Sequence, residues 1–207
     1  ERGGNAVDAG VASGIVLNVV LPNATNFGGV APIMIYLADT NSVVTISGLG
    51  RWPRSIPPDY FLKNSNGQIP VGILRCVVPS AADAWITALE KYGTMTFEQV
   101  VAPALALAQR GFPVSQYLKK ALEKPEEESI RSSASWVSWP SSVEIFMPQG
   151  KLPDIGEMLV QANLARTFQR LIEIEKSSAS KGRETALRAA RDYFYKGDIA
   201  REIVAFS

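Results

Sequence analysis

Residues 3–23 read GGNAVDAGVASGIVLNVVLPN. Gly3 and Gly4 can stop a helix and Asn5 can cap the next, so the pattern predicts a helix from Asn5 to about Val20. Ala6, Gly10 and Gly14 recur every fourth residue and form a smooth strip on which another backbone can lie closely. Glycine costs a helix about 1 kcal/mol per site relative to alanine, so two on one strip imply a packing reason. The other sides carry Val7, Val11, Ile15, Val16, Val19 and Val20. A helix with so little polar surface is predicted to be buried nearly all round, in the middle layer of a larger fold. Glu1 and Arg2, just before it, have the character of a helix end.

Downstream, PNATNFGG (22–29) reads as a loop, IMIYL as a strand, ADTNS as a turn and VVTIS as the returning strand. Residues 48–70 carry few regular signals and prolines at 53, 57, 58 and 70. An irregular stretch of that length inside a compact domain is usually functional or disordered, and its tryptophan and two arginines favour order. Ser80 with Asp83 and Thr96 with Gln99 are capping-box pairs, and Gly93 and Gly111 stop the two helices they begin. A further helix is predicted over 115–124, and a looped, mobile stretch over 125–142. VEIFM (143–147) reads as a short strand closed by a PQGK turn. Helices follow from Asn163 to about Glu175, over ETALRAARDYFY and over DIAREIVAFS, with SSASKG (177–182) a flexible break. No internal repeat is present. The reading is one α+β domain over residues 1–207, mostly helical with a few antiparallel strands.

Composition excludes several chemistries. Apolar residues make up 46% of the 207 and charged residues 20%, and the net charge is +1. Neither nucleic acid nor an anionic membrane is called for by that balance. Basic and acidic residues interleave, as at Lys119, Lys120, Glu123, Lys124 and Glu126, which describes a solvated face. Histidine is absent, which removes Ser-His-Asp and Cys-His catalysis and His-ligated metal sites from within the chain. No metal or cofactor site is predicted. Cys76, the only cysteine, sits in the apolar run ILRCVVP and is expected to be a buried structural thiol. No apolar run is long enough for a membrane span. Glu1 does not read as a natural start, so the compartment stays open between cytoplasm and periplasm or secretion.

No nucleophile elbow, zinc-protease helix or phosphate loop is found. NFGGVAP lacks the strand and helix context of a dinucleotide site. One loop stands out, ISGLGRWPRSIPPDYF, with Arg51 and Arg54 just beyond a strand end. Arginine offers a rigid fork of donors matched to a carboxylate. The other reading of the same spacing is a surface arginine stacked on Trp52.

Several stretches together resemble the gamma-glutamyltransferase family. GGNAVDAGVASGIVLNVVLPN is similar to its GGNAVDAAVAAALVLGVVEP signature, and NFGGVAPIMIY to its GIGGGGFMLVY. VPSAADAWITALEKYGTMTFEQVVAPALALAQRGFPVS, IFMPQGKLPDIGEMLVQANLARTFQRL and YFYKGDIAREIV follow its later motifs in order. The resemblance implies part of a four-layer αββα N-terminal-nucleophile hydrolase, made as a precursor that cuts itself into two subunits. This chain then corresponds to most of the large subunit, without its first strand and helix and without the small subunit. The nucleophile is then a threonine at the start of that small subunit, the heterodimeric partner, so no catalytic residue is expected here. The substrate is a small-molecule amide. Gly50-Arg51 falls on the family's carboxylate-gripping arginine, with Arg54 as rival. The chain has GLGRWPRS where the family has DGRETAP, so Trp52 stands where the family has glutamate. Three functions follow: a gamma-glutamyltransferase or glutathione hydrolase, a related amidohydrolase or acylase acting on an oxamate- or cephalosporin-type substrate, or a non-catalytic binding relative.

Overall fold

The structure is a computed structural model and describes residues 3–70, 72–123 and 139–207. In chain order its main elements are α1 (Ala6–Val20), β1 (Ile33–Leu37), β2 (Ser42–Ile46), α2 (Tyr60–Ser65), α3 (Ala81–Tyr92), α4 (Phe97–Arg110), α5 (Gln116–Glu123), α6 (Pro140–Phe146), α7 (Ala162–Ser177), α8 (Arg183–Lys196) and α9 (Asp198–Phe206). They fall into two compact units: residues 1–49, 79–112 and 160–207 form one, and 50–78 and 113–159 the other.

The first unit is helical with one hairpin. Asn5 caps α1: its side-chain oxygen accepts from the N–H groups of Val7 and Asp8, and the Asp8 carboxylate accepts the Asn5 N–H at 2.7 Å. Thr96 and Gln99 form the same reciprocal box on α4, and Gly111 closes that helix at φ 89°. Helix α1 packs on α4, α4 on α7, α7 on α8, α8 on α3, and α3 back on α1. Val11, Ile15 and Val19 of α1 are buried in this core with Val101, Ala104, Phe168, Leu171 and Leu187. Strands β1 and β2 pair antiparallel as the strand–turn–strand reading predicts, Ile33 opposite Ile46 and Ile35 opposite Val44. Ile33 and Ile46, with Trp85 of α3, pack against a buried cluster of Ala31, Ala81 and Ala84. Met34, Tyr36 and Val43, on the opposite face, are exposed.

Polar side chains tie the helix ends. The buried Asp8 carboxylate also accepts from the Thr94 N–H and hydroxyl and from the Met95 N–H. Buried Glu175 accepts the N–H groups of Phe97 and Glu98 at 2.7 and 2.9 Å, two orphan donors at the start of α4. Burial pushes its carboxyl above the usual range, against the pull of those two bonds. Arg183 donates to the carbonyls of Leu89, Glu90, Gly93 and Met95, around the C-terminal end of α3. Glu90, buried, takes Arg188 at 2.7 Å and Arg191 at 3.5 Å.

In the second unit Val114 exchanges main-chain hydrogen bonds with Gly156 and Glu157. Lys119 in the middle of α5 donates to the Pro153 carbonyl and the Asp154 carboxylate. The segment 48–70 contains a short helix, α2, ended by Asn66 in the left-handed region.

Several expectations are corrected. Within the described residues helix α1 is covered on one side, and Ala6, Ala9, Gly10, Ser13 and Leu17 are exposed. Among the described residues its small-residue strip receives no backbone. Gly10 faces open space, and a Cβ on Gly14 would come 2.4 Å from the Trp85 ring, so a large side chain fills that place. Ser80 caps no N–H of α3, because its hydroxyl is turned to the Gly48 carbonyl; the Asp83 N–H goes instead to the Tyr195 hydroxyl at 3.0 Å. Residues 140–146 are helical where VEIFM read as a strand, because Pro140 opens a helix at its first turn. Cys76 is exposed, since ILRCVV forms a 3-10 turn at Ile73–Arg75 and not a buried strand. SSASKG contains an ordered 3-10 turn, Ala179–Lys181. The predicted loop over 125–142 lies outside the described residues up to 138.

Candidate functional site

The glycine-rich turn after α1 is a structural joint. Phe27 is buried, with its ring edge-on to Phe168 (5.1 Å between centroids) and Phe194 (5.7 Å). The Gly29 carbonyl accepts the N–H groups of Ser80 and Ala81, both at 2.9 Å. The Ala31 N–H donates to the Gly48 carbonyl at 2.8 Å. Gly48 has φ 54°, and a Cβ there would sit 2.0 Å from the Ala31 oxygen, so only glycine fits. The exit of β2 is thereby fastened to the glycine turn and the start of α3. The N–H groups of Gly29 and Ala31 are spent inside this joint, on Asn26 and Gly48, and so are not offered to an anion.

Gly50 begins the second unit at φ 72°, where an added Cβ would come 2.4 Å from the Val78 oxygen. The Arg51 carbonyl accepts the Val78 N–H at 2.8 Å. The backbone on either side of the Arg51 Cα is thus held, while its side chain is exposed. Arg54 lies in a turn closed by the Ile56 N–H on the Pro53 carbonyl at 3.0 Å, and it too is exposed. Among the described residues neither guanidinium has a hydrogen-bond or ion-pair partner. Their neighbours do: Asp59 pairs with Lys63 at 2.5 Å, and Arg75 donates to the Ile69 carbonyl at 3.1 Å. Arg51 makes no ring contact with Trp52. The indole lies instead against Phe61, with 5.0 Å between centroids and 51° between planes. Phe61 is buried and edge-on to Tyr60 at 5.3 Å.

An unpaired guanidinium on a pinned backbone can take a carboxylate by two parallel bonds. The spacing of Arg51 and Arg54 alone does not reveal the pinning of Arg51. Its signals are the GLG triplet, which needs a left-handed turn, and the apolar VV pair, whose Val78 N–H meets the Arg51 carbonyl. Phe61 was missed; its signal is the YF pair opening α2. An apolar groove of about 410 Å³ runs between α1, β1 and α3, lined by Val7, Gly10, Pro32, Met34, Tyr36 and Trp85 among others. With no charged group on its walls, it offers no acid, base or nucleophile. Among the described residues no three His, Cys, Asp or Glu side chains gather as metal ligands, and no helix is long and apolar enough to cross a membrane.

The fold matches the crystal structure of Helicobacter pylori gamma-glutamyltranspeptidase with a TM-score of 0.78 and 29% identity, over 97% of this chain and 52% of that one. The chain is thus the helix-and-hairpin portion of an αββα N-terminal-nucleophile hydrolase. A family model described as gamma-glutamyltranspeptidase matches residues 1–207, and the chain belongs to that family. It is 31% identical to the glutathione hydrolase proenzyme of Bacillus subtilis (strain 168), over 98% of this chain and 32% of that protein. It is 32% identical to the acylase ACY 1 proenzyme of Pseudomonas sp. (strain SE83), over 92% of this chain and 34% of that protein. The chain spans about a third of the length of these relatives.

Proposed function

We propose that this chain is the large-subunit part of a self-processing gamma-glutamyltransferase or glutathione hydrolase, and that Arg51 holds the carboxylate of the acyl group. The observation that carries the site is the Arg51 guanidinium, unpaired among the described residues on a backbone pinned by Gly50 and Val78. The nucleophile is assigned to a threonine at the start of a small subunit cut from the same precursor. Its hydroxyl adds to the amide carbonyl, its own amino group carries the proton to the leaving amine, and the C–N bond breaks. Water or an acceptor amine then opens the acyl ester and restores the hydroxyl. The absence of histidine from this chain is compatible with that scheme. Residues 1–207 act in it as a single part, with no metal or cofactor required and a small amide as substrate.

The test is release of p-nitroaniline from γ-glutamyl-p-nitroanilide by the full-length protein, with subunit cleavage followed on a denaturing gel. Arg51→Ala should lower kcat/KM by about 100-fold, or ~3 kcal/mol, the loss of a bidentate charge-assisted contact. Arg51→Lys should already weaken turnover, because lysine supplies charge without the fork. Self-cleavage should survive both changes, since it needs no external carboxylate. Arg54→Ala in parallel decides between the rivals: if it abolishes turnover while Arg51→Ala retains it, Arg54 is the ligand. Processed protein that releases no p-nitroaniline would refute the activity itself.

A further inference from the structure

The segment that carries Arg51 folds back on itself. Two turns, closed by the Ile56 N–H on the Pro53 carbonyl and the Tyr60 N–H on the Pro57 carbonyl, both at 3.0 Å, bring Phe61 of α2 against the Trp52 indole. Prolines at 53, 57 and 58 limit the backbone freedom of that return. Phe61 is a firm support. Its ring is 6% exposed and edge-on to Tyr60. Its carbonyl accepts the Gly67 N–H at 2.8 Å, the Asn66 N–H and the Ser65 hydroxyl at 3.1 Å. Trp52 stands where the gamma-glutamyltransferase segment has glutamate, so this stack belongs to the loop of this chain.

Arg51 therefore stands between two anchors. Before it, Gly50 holds a left-handed conformation with no room for a Cβ, and the Val78 N–H holds the Arg51 carbonyl at 2.8 Å. After it, the Trp52 side chain rests on Phe61. The hydrogen bond fixes the plane of the peptide leaving Arg51, and the stack fixes the Cα at the far end of that peptide. Together they set the direction in which the Arg51 side chain leaves the backbone. Building on the assignment of Arg51 above, we propose that Trp52 is a positioning residue for the proposed reaction: stacked on Phe61, it keeps the root of the Arg51 side chain aimed at the substrate carboxylate. Trp52 itself touches no reacting atom. An arginine rooted in this way loses less freedom when it grips its ligand, so the stack contributes to binding through Arg51 and by no other route.

The experiment is a double-mutant cycle on full-length, self-processed protein with γ-glutamyl-p-nitroanilide as substrate. Trp52→Ala should lower kcat/KM about tenfold. KM should carry that loss, with kcat within about twofold, because a carboxylate remote from the scissile carbonyl is gripped before and during the reaction alike. In an Arg51→Ala background the same replacement should change kcat/KM by less than about twofold, since no guanidinium is left to aim. Trp52→Phe, whose ring can still rest on Phe61, should keep at least about half of the unaltered kcat/KM. Phe61→Leu, which changes the support and leaves the indole in place, should raise KM in the same direction as Trp52→Ala. Subunit cleavage on a denaturing gel shows that each variant has folded. An equal loss from Trp52→Ala in both backgrounds overturns the proposal, for the indole then acts by touching substrate or by supporting the fold at large. Unaltered kcat/KM in Trp52→Ala, with Arg51→Ala impaired, overturns it while leaving the assignment of Arg51 intact. Unaltered kcat/KM in Arg51→Ala alone refutes that assignment, and the positioning role with it.

Discussion

Replacing Asp8 tests the joint that anchors α1. Its two oxygens accept from the Asn5 N–H (2.7 Å), the Thr94 hydroxyl (2.7 Å), the Thr94 N–H (3.0 and 3.1 Å) and the Met95 N–H (3.1 Å). Asp8→Ala leaves three main-chain donors without an acceptor, while the Thr94 hydroxyl can rotate toward water. Asn5 is exposed and rehydrates, so most of the cost falls on Thr94 and Met95. At about 1.5–3 kcal/mol per lost bond to a charged group, the expected destabilisation is about 3–5 kcal/mol. Asp8→Asn keeps one acceptor oxygen and should cost only about 1–2 kcal/mol. The pH dependence supplies a second readout. Burial alone raises the Asp8 carboxyl, but the bonds from Asn5, Met95 and Thr94 outweigh it and hold the group below its usual range. A carboxyl depressed in the folded state contributes stability that is complete above its unfolded pKa, about 3.9, and lost as pH falls through the folded value. Urea unfolding of the full-length protein, followed by circular dichroism from pH 7 to pH 3, measures both effects. Asp8→Asn should flatten the acid limb. An Asp8→Ala shift below about 1 kcal/mol, or an acid limb unchanged in Asp8→Asn, would refute the assignment of these bonds as a stabilising joint.

Gly50→Ala should destabilise by about 2–4 kcal/mol, since the new Cβ meets the Val78 carbonyl in a left-handed conformation. It should also lower anilide turnover about tenfold by displacing Arg51, while subunit cleavage continues; steady-state kinetics beside a denaturing gel separate the two effects. Arg183→Ala removes donors from four carbonyls around the end of α3 and should lower the urea-unfolding free energy by about 2–4 kcal/mol, with Arg183→Lys recovering less than half. Burial pushes the Tyr195 phenol up to about 12, against the bond donated by the Asp83 N–H. Its stabilisation is therefore complete below the unfolded pKa of about 10 and lost as pH rises through the folded value. Unfolding free energies between pH 9 and pH 12 should fall less steeply in Tyr195→Phe than in the unaltered protein.

Much of the helical order was legible in the sequence because its signals are local. Asn5, Thr96 with Gln99 and Gly111 act within one turn of the positions they punctuate. The hairpin at 33–46 was legible for the same reason, since two short runs rich in β-branched and other apolar residues flank a turn of polar residues. The prominence of the Arg51 loop was also visible, as an arginine beside glycine, tryptophan and proline in an otherwise irregular stretch. Tertiary structure alone decided what depends on partners far along the chain. Asp8 is at once a local cap and an anchor for residues 94 and 95, and only the second role explains its burial. Ser80 carries the pattern of a cap, yet a carbonyl 32 residues earlier competes for its hydroxyl and wins. Gly14 is small because Trp85 fills the space above it, while Gly10, identical in pattern, faces open space. Trp52 was free to cover Arg51 until the fold supplied Phe61 as a better surface. A short-range pattern fixes which hydrogen bonds a segment can make by itself. Which distant group it meets is settled by packing, and there a side chain's role follows from its neighbours in space.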